Sequence, residues 1–568
     1  MTGQRHALVA TAHVRLMILM LMIAAGFCLV IARIGMLGLL TPPASAQGPD
    51  FGALMRGDIL DRNGEPLART IEAWTIGVHP RRLLGDRHDI AAKLAAAMPE
   101  HEEAWYYARL IMPVNFTYLD RHASPALVNA IHAIGEPGIV FAREPERLYP
   151  QTTLAANVLG FLDQSGKGKS GMEEALNDRF TGAHPDNSPI TLSVDVRVQA
   201  AMESELGHAM TAFKAKGAAG VVLDVATGEV LALASFPTFN PNKPGDAPPP
   251  QTDESGHQIP GPFYNRLTSA TYELGSTFKP ITMAIAIDTG VVTSMARRFD
   301  ATVPLVVGKY TIHDHDGQNR FLDIPETLVH SSNIATARIA DEVGAERMQK
   351  MFRALNFDKP VAIDLPERGW PRWPSYWART TVMTTAYGHG IAVTPMHLAS
   401  AYAALVNGGI WRPATLMKVA PGHANAGRRV ISQATSDRMR QLLRLVVLQG
   451  TGRKGDAIGY RVGGKTGTAE VASGGSYSKK SNVSTFAAAF PMDAPRYVVV
   501  AMIDSPQRTA ESAYQATAAW TVAPVVSRVI LRTGTMLGVA PDATRDVDVS
   551  ELLPLLWHAP GEDSTDPE

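Results

Sequence analysis

The stretch GAAGVVLDVATGEVLALASFP, residues 217–237, contains two apolar runs joined at Thr227-Gly228. Short apolar runs on either side of such a turn predict two neighbouring β-strands. Three more strands are predicted much later, in YRVGGKTGTAEV, VSTFAAAFP and RYVVVAMIDSP. Mostly helical material separates the two groups. We therefore predict an α+β fold with a five-stranded antiparallel sheet, closed by both ends of one domain and covered by helices on both faces.

The composition indicates a chain that can bury a large core. Its 568 residues are 45% hydrophobic and 19% charged, and domains of roughly 100 to 200 residues suggest about three or four units. Lys plus Arg total 53 and Asp plus Glu total 54, so we expect no attraction to nucleic acid. The single cysteine, Cys28, excludes an intramolecular disulfide and argues against thiol catalysis.

The N-terminal region predicts a membrane anchor. Residues 16–32 carry no charge, and this run is close to the roughly 20 residues that a helix needs to cross a bilayer. Arg5 and Arg15 precede it, and such positive charge favours an N-terminus on the inner side. We predict a cytoplasmic tail at 1–15, a single transmembrane anchor at 16–40 and a body on the outer side of the membrane.

A cleaved signal peptide is the alternative for this region. PPASA at 42–46 ends in a small-residue pattern before Gln47, as signal-peptide cleavage sites do. However, the apolar run exceeds the roughly 7 to 15 residues of a typical signal-peptide core, and Arg33 separates it from the cleavage pattern. Both observations favour a retained anchor, and either alternative exports the rest of the chain.

Three regions follow the anchor. Residues 41–185 include RGDILDRNGEPLART, whose Asn-Gly pair predicts a hairpin, and mixed helical and extended segments without obvious catalytic residues. Residues 186–540 contain all five predicted strands. Residues 541–568 become acidic and predict a flexible tail.

A serine and a lysine lie three residues apart in YELGSTFKPITMAIAID, residues 272–288. If an apolar helix begins at this Gly-led turn, Ser276 and Lys279 are neighbours, with about 5 to 6 Å between their Cβ atoms. A serine becomes a good nucleophile when a base takes its proton, and lysine can be that base when burial or a nearby cation lowers its pKa. The pair therefore predicts a nucleophile and its base, with another cation close by.

The spacing alone is weak evidence. Serine is a preferred helix N-cap, so Ser276 has a purely structural alternative. SYSK at 476–479 repeats the same spacing within a Gly/Ser-rich segment. We predict a loop there, without a helix that would hold Ser476 and Lys479 on one face.

Two later motifs supply what the first one lacks. Ser331-Ser332-Asn333 stands at a predicted loop-to-helix junction, where Ser331 can transfer a proton and Asn333 can bind a peptide amide. Lys465-Thr466-Gly467-Thr468 follows VGG on a predicted strand. Lys465 supplies a second cation and can anchor a carboxylate, and Gly467 allows a ligand to approach the strand edge closely.

The order Ser-x-x-Lys, Ser-x-Asn and Lys-Thr-Gly is the signature of penicillin-binding proteins and serine β-lactamases. The chain resembles class B penicillin-binding proteins from the anchor to about residue 540, through RGDILDRNGEPLA, GMEEALN, DVATGEVLALASFPTFNPN, GSTFKP, HGIAVTPMHLASAYAALVNGG and VGGKTGTAE. SSN at 331–333 is more similar to the division-specific transpeptidase (FtsI type), because the elongation-specific one usually has Asp at the third position. The resemblance implies the penicillin-binding transpeptidase fold at 186–540 and a pedestal or dimerisation-like domain at 41–185.

The resemblance implies a serine-type D,D-transpeptidase that cross-links peptidoglycan during septal wall synthesis and is inhibited by β-lactams. Ser276 would attack the penultimate D-Ala carbonyl, Lys279 would be the base, Ser331 would relay a proton and Asn333 would hold the substrate amide. The substrate carboxylate would be bound by a strand segment comprising Lys465, Thr466, Gly467 and Thr468. The backbone N–H groups of Ser276 and Thr468 would form the oxyanion hole.

The resemblance also implies partners and a location. Stem peptides would serve as the D-Ala-D-Ala donor and as the amine acceptor. A membrane-embedded glycan polymerase (FtsW-like) and other division proteins would recruit the enzyme. The catalytic domain would lie on the periplasmic side of the inner membrane, and no cofactor is implied.

Other interpretations stay open at this point. An elongation-specific transpeptidase, a D,D-carboxypeptidase and a catalytically weak penicillin-binding scaffold would share these motifs. HDHD at 313–316 suggests a metal site but lacks a further set of ligands, so we expect no metal. Leu274 stands where the family usually has proline, which predicts a looser nucleophile turn.

Overall fold

The computed structural model describes residues 2–40, 56–163, 165–252, 258–473 and 476–557. The chain divides into two compact units. The first comprises residues 1–55 and 72–146, and the second comprises residues 56–71 and 147–568. All of the predicted site residues belong to the second unit.

The first unit begins with a long helix, α1 (Thr2–Leu40). Its segment His13–Arg33 is long and apolar enough to cross a membrane, and none of it is buried by protein. The predicted anchor at 16–40 falls on this helix, which also includes most of the predicted tail at 1–15. The PPASA pattern at 42–46 lies outside the described residues.

The chain then forms a mixed α/β region. Its elements are β1 (Ile59–Leu60), β2 (Pro66–Val78), α2 (Arg87–Ala97), α3 (Glu103–Leu110), β3 (Thr117–Ala123), α4 (Pro125–His132) and β4 (Ile139–Leu148). In the first unit β2 pairs with β3, with Val78 opposite Thr117, and apolar side chains such as Ile76 and Leu94 form its core.

The second unit contains the helices and strands that follow β4. Its N-terminal part holds α5 (Ala156–Leu159), α6 (Gly171–Ala175), α7 (Asn177–Thr181), β5 (Ile190–Thr191), α8 (Val196–Ala212), β6 (Gly217–Asp224), β7 (Val230–Phe236), β8 (Gln251–Thr252) and β9 (Gln258–Ile259). Its middle part holds α9 (Lys279–Asp288), β10 (Phe299–Asp300), β11 (Leu305–Val307), β12 (Tyr310–Ile312), β13 (Phe321–Leu322), α10 (Ile324–Val329), α11 (Asn333–Val343), α12 (Ala345–Ala354), α13 (Arg379–Thr385), α14 (Pro395–Val406), β14 (Ile410–Trp411) and β15 (Arg428–Arg429). It ends with α15 (Gln433–Gln449), β16 (Gly463–Ser473), β17 (Ser476–Phe490), β18 (Tyr497–Asp504), α16 (Ala518–Thr521) and α17 (Ala523–Thr533).

The main sheet has the strand order β16-β17-β18-β6-β7. Every neighbouring pair is antiparallel, and Val500 in the central strand lies opposite Ala487 on one side and Val221 on the other. The two strands predicted at 217–237 therefore join the three predicted near the C-terminus. This arrangement confirms the predicted α+β fold.

Strand β18 shows how both faces of the sheet are buried. Val498 and Val500 belong to one core cluster, and Val499 and Ala501 belong to another. Alternate residues of a strand point to opposite faces, so a strand covered on both sides needs an unbroken apolar run. Residues of α9, α14 and α15 cover the first face, and residues of α8 and α17 cover the second.

The segment containing SYSK differs from its prediction. Residues 476–479 belong to β17, because β16 and β17 extend into a hairpin in which Ser473 lies opposite Ser476. The predicted loop is therefore wrong at these residues.

The C-terminal region also differs from its prediction. Leu552 is 1% exposed and belongs to the main core, and the Asp546 carboxylate forms a 2.7 Å ion pair with Arg444. The prediction of a flexible tail from residue 541 is therefore wrong for 541–557, where apolar residues are interspersed among the acidic ones. Residues 558–568 lie outside the described part of the chain.

Candidate active site

Ser276 lies in a single 3-10 turn, Gly275–Phe278, that leads directly into α9. Because the turn passes directly into the helix, Ser276 and Lys279 are three residues apart on a helical backbone and lie on the same side of it. Gly275 has a φ of 55°, a left-handed conformation that glycine adopts at little cost. The residue before α9 is Phe278, so Ser276 is not the N-cap of this helix. Ser276 is also partly exposed.

Apolar packing and hydrogen bonds hold the nucleophile turn. Leu274 is 1% exposed and belongs to the main core. Its carbonyl accepts a 2.8 Å hydrogen bond from Thr277 Oγ1, and the buried Tyr402 hydroxyl donates to the Thr277 carbonyl at 2.9 Å. These contacts hold the turn without proline, and the looser turn predicted from Leu274 stays a prediction.

Lys279 and Ser331 meet inside the site. Lys279 is fully buried at the start of α9. Its Nζ donates to the Ser331 carbonyl and lies 3.0 Å from Ser331 Oγ. Ser331 has a φ of 57°, which is uncommon for a residue other than glycine. In this conformation both oxygen atoms of Ser331 reach the Lys279 side chain.

Lys465 is the second buried cation of the site. It lies on β16 with no exposed surface, and its Nζ donates to Thr451 Oγ1 at 3.3 Å and to the Thr466 carbonyl at 3.1 Å. Burial lowers the pKa of Lys465 to about 7. It therefore exchanges its proton near neutral pH.

The environment of Lys279 suits a base. Burial lowers the pKa of Lys279 well below its ordinary value, and the positive charge of Lys465 lowers it further, whereas the Asp314 carboxylate acts in the opposite direction. A base is most effective when its pKa lies near the working pH. Lys465 thus provides the second cation that the chemistry of the Ser-x-x-Lys pair requires.

Gly467 lies where the edge strand meets the nucleophile turn. A Cβ atom there would lie 2.5 Å from the Leu274 carbonyl oxygen and 2.9 Å from Thr277 Cγ2. Real Cβ atoms do not approach other atoms so closely. The close approach that Gly467 allows is therefore to the protein's own turn, whereas the sequence suggested an approach by a ligand.

The segment suggested as a metal site instead holds the middle motif. Ser332 is the N-cap of α11 and donates its hydroxyl to Asp314 Oδ2 at 2.7 Å. The Ile334 N–H donates to Asp314 Oδ1 at 2.9 Å, and Asn333 Nδ2 donates to the His313 carbonyl at 2.8 Å. Asp314 is thus a second cap for α11. Within the described ranges, no group of three or more His, Cys, Asp or Glu residues could hold a metal.

The two threonines of the third motif have different surroundings. Thr466 is 6% exposed, and its hydroxyl donates to Thr451 Oγ1 at 2.7 Å. Thr468 is exposed, and its Oγ1 accepts a 3.0 Å hydrogen bond from the Ala518 N–H. The Thr468 hydroxyl is therefore the more accessible to a ligand.

Sequence reasoning missed three residues that support the site. Thr451 carries no motif in LQGTGRKG, Tyr402 resembles an ordinary core residue in an apolar helix, and the sequence around Asp314 suggests only a metal ligand. No pattern within the sequence reports that these side chains meet the three motifs. Their positions depend on how distant elements pack.

Two family models match this chain. The penicillin-binding protein transpeptidase domain matches residues 218–525, a range that contains all three motifs and the whole sheet except Gly217. The penicillin-binding protein dimerisation domain matches residues 53–188. The chain belongs to the penicillin-binding protein transpeptidase family.

Curated relatives identify this penicillin-binding protein as class B and FtsI type. It is 39% identical over 527 residues to the probable peptidoglycan D,D-transpeptidase FtsI of Caulobacter vibrioides, covering 91% of this chain and 86% of the relative. It is 27% identical to the peptidoglycan D,D-transpeptidase FtsI of Escherichia coli, covering 94% and 93%. These matches confirm the predicted family and the serine-type D,D-transpeptidase class.

A solved structure supports the same fold for this penicillin-binding protein. Penicillin-binding protein 3 of Mycobacterium tuberculosis in complex with aztreonam matches with a TM-score of 0.65 and 26% identity, covering 86% of this chain and 97% of that one. Together with the apolar segment of α1, these relatives indicate a single-pass, membrane-anchored protein.

Proposed function

We propose that this penicillin-binding protein cross-links peptidoglycan stem peptides during septal wall synthesis, with Ser276 as its nucleophile. The observation that carries the proposal is the contact of buried Lys279 with Ser331, at 3.0 Å between Nζ and Oγ, beside a second buried lysine, Lys465. This arrangement joins a base, a proton relay and a cation next to the Ser276 turn.

In the first half-reaction, neutral Lys279 takes the proton of Ser276 Oγ while this oxygen attacks the penultimate D-Ala carbonyl. The N–H groups of Ser276 and Thr468 stabilise the negative oxygen that develops. Removing one such donor costs about 2.7 to 4 kcal/mol in other acyl-transfer enzymes. When the C–N bond breaks, Ser331 relays the proton from Lys279 to the leaving amine, and the terminal D-Ala departs from the acyl-enzyme.

In the second half-reaction, the amine of a neighbouring stem peptide attacks the ester carbonyl. A new amide bond forms, and the C–O bond to Ser276 breaks. The proton lost by the amine returns to Ser276 Oγ through Lys279 and Ser331. The nucleophile is thereby regenerated without a cofactor.

Substrate recognition divides between the second and third motifs. Lys465 in its charged form and the exposed Thr468 hydroxyl bind the terminal carboxylate, while Thr466 and Gly467 support this edge of the strand. The amide nitrogen of Asn333 already donates to the His313 carbonyl at 2.8 Å. Its Oδ1 therefore accepts the N–H of the substrate peptide.

The placement in the cell is also part of the proposal. Arg5 and Arg15 before the apolar segment of α1 favour an N-terminus inside the cell and a catalytic domain in the periplasm. A membrane-embedded glycan polymerase of the FtsW kind and other division proteins would recruit the enzyme. The amine acceptor is a diamino acid of a second stem peptide.

Labelling with a fluorescent penicillin tests the nucleophile. We expect the wild type and Ser476→Ala to form the covalent adduct and Ser276→Ala to form none. Ser476→Ala is the matched control, because it removes the serine of the other Ser-x-x-Lys sequence. An adduct on the Ser276→Ala protein, located by peptide mapping, would contradict the assignment.

Depletion of the protein in its host tests the septal role. Filamentous cells are expected if the enzyme acts in division, because elongation continues while septa are not completed. Rounded cells would instead show a role in elongation. A wild-type copy and a Ser276→Ala copy, expressed during depletion, separate catalysis from a scaffolding role.

A further inference from the structure

A C-terminal strap, residues 542–557, packs along the second unit after its last helix. Its one regular element is a 3-10 turn, Leu553–Leu555. The neighbouring Leu552 is 1% exposed within the main core. The contacts of the strap lie close to two of the three catalytic motifs.

The first end of the strap is attached next to β16. The Asp542 N–H donates to the Gly459 carbonyl at 2.8 Å. The Asp546 carboxylate accepts hydrogen bonds from Arg444, with 2.8 Å between Nε and Oδ2. Arg444, whose side chain is 7% exposed, also donates to the Val462 carbonyl at 2.8 Å. Val462 immediately precedes β16, the strand that carries Lys465.

The middle of the strap lies along α15. Gln441 Nε2 donates to the Asp548 carbonyl at 2.8 Å, and Arg438 forms a 3.2 Å ion pair with Glu551. The helix α15 leads to Thr451, which contacts Lys465. This part of the strap is therefore fixed to the same support as the third motif.

The far end of the strap is attached to α10. The backbone N–H of Trp557 donates to Glu326 Oε1 at 2.9 Å, and Glu326 is 2% exposed. Arg320 forms a 2.7 Å ion pair with Glu326, and its guanidinium lies 5.1 Å from the centre of the Trp557 ring. A buried carboxylate thus joins the strap, Arg320 and the helix.

Glu326 is connected to the middle motif through α10. Its backbone carbonyl accepts the His330 N–H at 2.9 Å, and the Ser331 N–H donates to the Leu328 carbonyl at 3.2 Å. The end of α10 therefore sets the position of Ser331. Arg320 Nη2 also lies 3.4 Å from the ring nitrogen Nε2 of His330.

We propose that the strap holds the Lys465 strand and the Ser331 turn in a fixed relative position. Glu326 and Trp557 are then positioning residues for Ser331. The inference rests on the proposed function, because acylation of Ser276 is its readout. A displacement of about 1 Å in a catalytic arrangement can lower a rate by about 100-fold. Loss of the strap should therefore slow acylation in a protein that remains folded.

Two truncations of the full chain test this proposal with a fluorescent penicillin. A chain ending at Trp557 keeps the strap and is the control, with an expected acylation rate constant within twofold of the wild type. A chain ending at Arg545 lacks most of the strap, and we expect its rate constant to fall about tenfold or more. The synthetic peptide DVDVSELLPLLW, residues 546–557, should restore at least part of the rate when added to this chain.

Trp557→Ala in the full chain tests the proposal if the shorter truncation does not fold. It removes the ring that packs against Arg320 and keeps the backbone hydrogen bond to Glu326. At a temperature well below the melting temperature of this variant, its acylation rate constant should fall threefold or more. The dissociation constant of the non-covalent complex with the penicillin should stay unchanged. Trp370→Ala, which changes a tryptophan that is 73% exposed, is the matched control.

A smaller change in Trp557→Ala, or a folded Arg545-terminated chain that acylates at the wild-type rate, overturns the proposal. Failure of the proposed function gives a different result, because the wild type itself would then not be acylated at Ser276.

Discussion

Replacing Lys465 with arginine keeps a positive charge in the site but removes the side chain that gains and loses a proton near neutral pH. Lys465 is fully buried, and burial lowers its pKa to about 7. Arginine stays protonated because its pKa exceeds about 12. Binding of a ligand that carries a carboxylate should therefore weaken above pH 7 in the wild type, whereas Lys465→Arg should bind with little pH dependence up to about pH 9.

The magnitude follows from the charged fraction of Lys465. With a pKa of about 7, this fraction is about 0.9 at pH 6, about 0.5 at pH 7 and about 0.1 at pH 8. If only the charged form binds the carboxylate, the dissociation constant rises about twofold from pH 6 to 7 and about fivefold from pH 7 to 8. The fivefold change corresponds to about 1 kcal/mol. The arginine variant should bind more weakly at pH 6, because a guanidinium does not fit a site shaped for an ammonium.

Stopped-flow acylation by a fluorescent penicillin, which carries a carboxylate, gives both constants at each pH. The dissociation constant reports on Lys465, whereas the acylation rate constant reports on the chemical step at Ser276. Lys454→Arg, at an exposed lysine, makes the same substitution outside the site and should follow the wild type. A wild-type dissociation constant that stays constant from pH 6 to pH 9 would refute the reasoning.

Three further substitutions test the support of the site. Gly467→Ala forces a Cβ atom to 2.5 Å from the Leu274 carbonyl, so we expect a loss of about 1 to 3 kcal/mol in stability and slower penicillin labelling. Asp314→Asn places an amide where Ser332 and Ile334 donate hydrogen bonds at 2.7 and 2.9 Å. Thermal unfolding should show that the free energy of unfolding falls by about 1 to 3 kcal/mol, and acylation should slow. Leu274→Pro restores the residue usual in the family but removes a side chain that is 1% exposed. Denaturant unfolding should therefore show that the free energy of unfolding falls by about 1 to 3 kcal/mol and does not rise.

The sheet was predictable because its signals are local. Turn residues at Thr227-Gly228 and the apolar run of β18 each specify a strand without reference to the rest of the chain. The antiparallel order followed from the positions of these strands at the two ends of one domain. Likewise, the three motifs predicted the neighbours Lys279, Ser331 and Lys465, because the chemistry of a serine nucleophile requires a base and a second cation.

The supports of the site were not predictable in the same way. Asp314 contacts Ser332 and Ile334 across 18 and 20 residues of sequence, and Trp557 contacts Glu326 across 231 residues. Contacts between residues so far apart along the chain produce no periodic pattern in a single sequence. The acidic residues of the strap indicated a flexible tail, because composition does not reveal that Asp546 has a buried arginine as its partner.

The two Ser-x-x-Lys sequences show what the catalytic chemistry requires of a fold. At Ser276 a 3-10 turn leads into α9, and residues three apart on such a helical backbone are neighbours, so the serine and a fully buried lysine lie on the same side. Residues 476–479 lie on β17, where a rise of about 3.3 Å per residue separates positions three apart by about 10 Å. Proton transfer requires about 2.6 to 3.2 Å between the two atoms. The spacing therefore predicts a nucleophile and its base only where the chain turns, and only where a strand such as β16 brings a second cation to the buried lysine.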